Sequence, residues 1–159
     1  MNMQYQELTI QSMIHQNASM QLFCDKFEIP QSERIVPIKQ LKKEGPLKTE
    51  IIQVLLKTYD EHFEFPYEEL NTFSIAELLD YLKLTHRFYL QKKLPEIEQT
   101  IQNLFQDYAT ADPLLVILCS FFVQYKAKLE RHIRFEEKSL FPYIESLLEV
   151  EAVGKQLLS

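Results

Sequence analysis

Glycine is nearly absent. Gly45 and Gly154 are the only two in 159 residues, and they stand alone. Phosphate-cradling loops and dinucleotide fingerprints need several glycines close together, so both are excluded. Tryptophan is missing. The two cysteines, Cys24 and Cys119, form no CxxC pair, which suggests a reducing compartment. Basic charge is in deficit, 17 Lys and Arg against 23 Asp and Glu, for a net charge of -6. Such a chain has no basic excess with which to release phosphate counterions, so nucleic acid is not an expected partner. Long hydrophobic runs are also lacking. The longest, near Leu114–Cys119, is far too short to span a bilayer, and the start MNMQYQELTIQ lacks the basic and apolar regions of a signal peptide. No membrane association is expected, and the cytoplasm is the expected location.

What remains is ample core material. Apolar residues make up 46%, with eleven Phe and eight Tyr, and charged residues 25%. The length suits one domain, or one with a small appendage. No stretch alternates like a strand, and the reading is all-α. Residues 8–29 predict two short helices, the first capped by Thr9 with Ile10, Met13 and Ile14 inward, the second capped by Asn17 with Met20, Phe23 and Phe27 inward. Residues 42–46 read as a turn, and 47–60 as a helix. Residues 61–73 contain Pro66 and sustain no period, which places a linker there. The expected units are therefore a small N-terminal helical domain at 1–66 and a longer helical one at 67–159. In the second, Ser74 and Glu77 have capping-box spacing ahead of a long helix, with Pro95 either ending or kinking it. Asp112-Pro113 begins another long helix, which Pro142 should bend. Two long helices cannot close a core by themselves, and further partners are needed.

The second long helix carries His132 and Glu136 in an H-x3-E pair. Residues four apart lie one above the other on a helix, so the imidazole and carboxylate point the same way. Tyr125, Leu129, His132, Glu136 and Leu140 continue one stripe, which is expected to face inward. A buried carboxylate needs a partner or a metal, and an imidazole nitrogen with a carboxylate oxygen suits iron, manganese or zinc. His86 lies on the stripe Leu79, Leu82, His86, Leu90 of the preceding helix, and antiparallel packing would set it opposite His132. The plainer alternative is that His86 pairs with a carboxylate such as Asp80 or Glu136, or faces solvent. Tyr125 could donate to a ligand, although core packing is the simpler role.

Residues 78–98, LLDYLKLTHRFYLQKKLPEIE, and 129–144, LERHIRFEEKSLFPYI, resemble the first two helices of the hemerythrin-like, or HHE cation-binding, domain. The resemblance is strongest to the iron–sulfur cluster repair di-iron proteins, also described as regulators of cell morphogenesis and nitric-oxide signalling. The N-terminal LTIQSMIHQNASMQLFCDKFEI resembles the small domain that precedes the di-iron domain there, without that domain's adjacent cysteines. The resemblance implies a long-helix bundle, non-haem iron as cofactor, iron–sulfur proteins as clients, and a role in cluster repair or nitrosative and oxidative stress. It places metal ligands at His86, His132 and Glu136, with Glu137 a neighbour. The family's second half, with another lone histidine and another H-x3-E, is not present, so this chain carries half of the ligand set. A homodimer through the bundle helices would complete it. Truncation of a longer protein, a single weakly held metal, and a metal-free helical scaffold or interaction module are the other readings. Whether the chain is an enzyme stays open.

Overall fold

The computed structural model describes residues 7–17, 19–42, 47–59, 65–107 and 113–157. Among them every regular element is helical, as the patterning predicts, and the one β-type contact is an isolated bridge between Thr9 and Pro37. Packing divides the chain into two units, 1–84 and 85–159.

In the first unit, α1 (Ile10–Gln16) opens on the expected cap. The Thr9 hydroxyl accepts the Ser12 N–H at 3.0 Å, and the Ser12 hydroxyl oxygen accepts the Thr9 N–H at 3.2 Å. Asn17 likewise serves α2 (Ser19–Lys26), its side-chain oxygen accepting the Ser19 N–H at 2.8 Å. A short α3 (Gln31–Arg34) follows. Then comes α4 (Thr49–Leu56), which buries Ile51, Ile52, Val54, Leu55 and Leu56. The expected turn at 42–46 and linker at 61–73 fall partly outside the described residues. Within the latter, Tyr67–Leu70 forms a single helical turn, α5.

The cap of α6 (Ile75–Phe88) is the predicted box: Ser74 N–H donates to Glu77 at 2.7 Å, and Glu77 N–H to the Ser74 hydroxyl at 3.3 Å. Leu84 is buried in the N-terminal core, and Leu70, Phe73 and Tyr81 pack against it. These side chains place 67–84 with the first unit, whereas the sequence sets a boundary after residue 66. A break in pattern marks a turn, but where the following apolar side chains pack decides the unit.

The second unit is an antiparallel pair of helices. The end of α6 passes through a π-helical turn, Tyr89–Lys93, into α7 (Leu94–Asp107). The return arm of the pair is α8 (Pro113–Phe135), a second π turn at Glu136–Leu140, and α9 (Phe141–Leu157). Pro113 starts α8 as expected, while its cap candidate Asp112 lies outside the described residues. Neither Pro95 nor Pro142 ends its helix. Each lacks an N–H and would collide with the carbonyl four residues back. Each also sits two residues past a π turn, whose wider hydrogen-bond spacing makes room for the ring. Leu94, Ile101 and Phe122 form a small core with Leu90, Ile97, Phe105, Cys119 and Leu129 around it. Lys126 ties α8 to Glu98 of α7 at 2.7 Å.

The inward stripe of α8 differs from the expected one. Phe122, Ile133 and, beyond the π turn, Phe141 are buried, whereas Leu118, Tyr125 and Leu140 are 40%, 45% and 38% exposed. The helix is apolar around most of its circumference, so periodicity fits two stripes one residue apart, and the π turn adds a residue between Glu136 and Phe141.

Candidate metal centre

His86 lies near the end of α6, one turn before the first π turn, and is 6% exposed. Across the pair, the second π turn begins at Glu136. His86 Nε2 stands 3.1 Å from a Glu136 oxygen, and Nδ1 stands 3.2 Å from a Glu137 oxygen. Two consecutive carboxylates thus grip one ring from both nitrogens. On an α-helix adjacent side chains diverge by about 100°. The wider π turn that starts here accompanies the second reach. The other Glu136 oxygen lies 3.4 Å from His132 Nε2, one helical turn earlier. Phe141 closes the apolar side of His86, with ring centroids 5.5 Å apart and planes 6° from parallel.

The three ligand positions expected from sequence are linked by pairwise contacts and do not converge on one point. Glu136 stands between the two imidazoles, so His86, Glu136 and His132 form a chain of contacts, with Glu137 on the far side of His86. Among the described residues no group of three or more His, Cys, Asp or Glu side chains could hold a metal ion as it stands. The pairing of His86 with a carboxylate, the plainer expectation, is also present. His132 is not inward: its side chain is 61% exposed, while Glu136 is 20% exposed. Tyr125 stacks on Phe121, with centroids 6.3 Å apart.

Glu137 is the contact that sequence reasoning set aside. Its signal was Pro142, whose effect on the preceding turn lets a residue one step off the H-x3-E face reach the same histidine. Beside it runs an open cleft of about 410 Å³ lined by Leu90, Glu130, Ile133, Arg134, Glu137 and Lys138, wide enough to admit a small ion or diatomic.

The chemistry of the contacts is restrictive. A carboxylate oxygen only accepts, and a neutral imidazole donates from one nitrogen and accepts at the other. Carboxylates at both nitrogens therefore leave one lone pair facing another, unless a second proton or a cation lies between them. The donor set, two imidazoles and two carboxylates, is one that first-row transition metals take.

No helix among the described residues is long and apolar enough to cross a membrane. No family model, curated protein or solved structure matches the chain.

Proposed function

We propose that the chain is a non-haem iron protein of the hemerythrin-like kind, acting in the cytoplasm in iron–sulfur cluster repair or in the response to nitrosative and oxidative stress. The observation that carries this reading is the double carboxylate grip on a buried histidine. Carboxylates at both nitrogens of His86 set lone pair against lone pair unless a second proton or a cation is supplied, and a cation at His86, Glu136 and His132 would supply it. Those three side chains would hold the ion, and Glu137 would hold the second nitrogen of His86 and fix the ring. Iron in such a set keeps coordination positions open to a diatomic such as dioxygen or nitric oxide. The resemblance of THRFYLQKKLPEI and HIRFEEKSLFPYI to the family selects iron over manganese or zinc, and iron–sulfur proteins as clients.

A metal-free scaffold or interaction module is favoured by one specific observation: the four groups already satisfy one another as a chain of contacts without converging on a point. Anaerobic loading with ferrous iron, followed by elemental analysis after desalting, separates the two. Retained iron that is lost in Glu136→Gln, with helicity unchanged, supports the metal protein. No retained iron, or retention unaffected by Glu136→Gln, leaves the scaffold.

A further inference from the structure

Much of the stripe that periodicity predicts to be inward is exposed, Leu129 and Glu136 excepted, and the exposed part is symmetric. It runs one residue ahead of the buried stripe along α8 and α9, through Leu118, Phe121, Tyr125, Leu140, Tyr143 and Leu147, which are 40%, 66%, 45%, 38%, 61% and 51% exposed. His132 sits at its centre. Phe121 and Tyr143 are equally far from it in sequence, and Tyr125 with Leu140 and Leu118 with Leu147 are equally far to within one residue. A face with apolar groups mirrored about its midpoint is complementary to itself under a two-fold rotation.

Charge specifies the same operator. Residues 114–128 carry Lys128 and, already paired with Glu98, Lys126, and no acid; residues 141–153 carry Glu145, Glu149 and Glu151 and no base. Antiparallel pairing lays the basic stretch of one copy along the acidic stretch of the other, whereas parallel pairing sets like charge on like. Near the axis, Lys128 and Glu136 are each four residues from His132, so the lysine of either copy comes level with Glu136 of the other.

We propose that a second copy of this chain covers this face as an antiparallel two-fold dimer centred on His132. From Leu118 to Leu147 the contact would run about 44 Å. That length can seat an interface of standard size, roughly 800 Å² per partner. The two His132 side chains then meet across the axis, and the partner's His132 joins the donors around Glu136. This last consequence rests on the metal reading, whereas the dimer itself does not.

The experiment is a charge swap at the mirrored pair, read by size-exclusion chromatography with light scattering on the metal-free full chain. Wild type is expected at dimer mass at micromolar concentration. Phe121→Lys and Tyr143→Glu each put a charge into the apolar seam, and each should weaken the dimer by at least about tenfold. The double variant F121K/Y143E sets lysine against glutamate twice across the axis and should restore it. Both positions are exposed, so circular dichroism should show unchanged helicity in all variants. Ile35→Lys, at an exposed apolar residue of the first unit, should leave the dimer intact. A wild-type monomer overturns the proposal and gives the face to a different partner. Failure of the double variant to regain dimer mass overturns the register. Iron retention is scored separately: a monomer that keeps iron defeats the dimer and not the metal reading, and a metal-free dimer does the reverse.

Discussion

Phe141 lies flat on the imidazole of His86, 5.5 Å between centroids, and is itself 2% exposed. It reaches that position because the π turn Glu136–Leu140 inserts a residue before it. Without the insertion the inward stripe would continue at Leu140. Phe141 thus fixes the plane of His86 while the two glutamates fix its nitrogens. Phe141→Ala is expected to cost about 3–5 kcal/mol, the usual range for removing a fully buried Phe. Phe141→Leu keeps most of the burial and loses the ring stack, so it should cost about 1–2 kcal/mol. Urea denaturation followed by circular dichroism measures both. A cost below 1 kcal/mol for the alanine variant would mean that the site is not organised by this ring.

The helical class, both N-terminal caps and the Ser74–Glu77 box were legible because each rests on local chemistry: a side-chain oxygen at a fixed offset from an orphan N–H. The pairing of His86 with Glu136 was legible as the plainer of the expected contacts, whereas the exposure of His132 was not. Nor was the inward stripe of α8. Leu114, Val116, Ile117, Leu118, Phe121 and Val123 are all more than a third exposed, and a helix apolar on nearly every side does not announce which side packs. The π turns were likewise hidden, because proline in a helical pattern reads as a stop or a kink. Only the neighbouring backbone shows that the chain widens a turn and carries on. The unit boundary moved for a third reason: Tyr81 and Leu84 belong by sequence to the first long helix of the second unit and by packing to the first unit.

If the π turn serves the site and not the stability of the helix, removing its extra residue should reveal this. Deleting Ser139, an exposed residue within the turn, restores an ordinary α spacing between Glu136 and the buried aromatic. The expected outcome is retained helicity and a change in stability of less than about 1 kcal/mol, since no buried group is lost. The grip of Glu137 on His86 should disappear, visible as a changed His86 ring signal in NMR. Loss of folding in the deletion variant would show that the turn is structural.

Acid should loosen the first unit through one carboxyl. Lys48 pairs with Glu77, which also accepts from Ser74, and these partners hold the Glu77 carboxyl down at about 2, against an ordinary 4.5. Because its folded value is depressed, its contribution is complete above about 4.5 and is lost as pH falls from there toward 2. Glu77→Gln, which carries no titrating group, should therefore show a flatter stability profile between pH 4.5 and 2 than wild type. Thermal melts across that window test it, and parallel profiles would remove Glu77 from the account. Lys48 is exposed, so added salt should shrink the difference.

Lys26 behaves in the opposite sense. Its ammonium lies 4.8 Å from the Tyr81 ring centroid and 5.2 Å from that of Phe27, and it donates to the Tyr81 hydroxyl at 3.4 Å. Burial pushes the amine down to about 8. The sign follows from proton counting. Between about pH 8 and 10.5 the folded amine is already neutral while the unfolded one still binds a proton, so stability rises with pH through that window. Below pH 8 both are charged, and the folded state carries the full cost of a poorly hydrated ammonium. Lys26→Met keeps the aliphatic stem against the rings and removes the charge. At pH 7 it should stabilise the chain by about 1–2 kcal/mol, allowing for screening of a partly exposed group. By pH 10.5 that advantage should have largely vanished, because the wild type has by then shed its proton. Urea midpoints of the two proteins at pH 7, 9 and 10.5 give the comparison. A variant less stable than wild type at pH 7 would show that the cation–ring contacts, and not desolvation, govern this side chain.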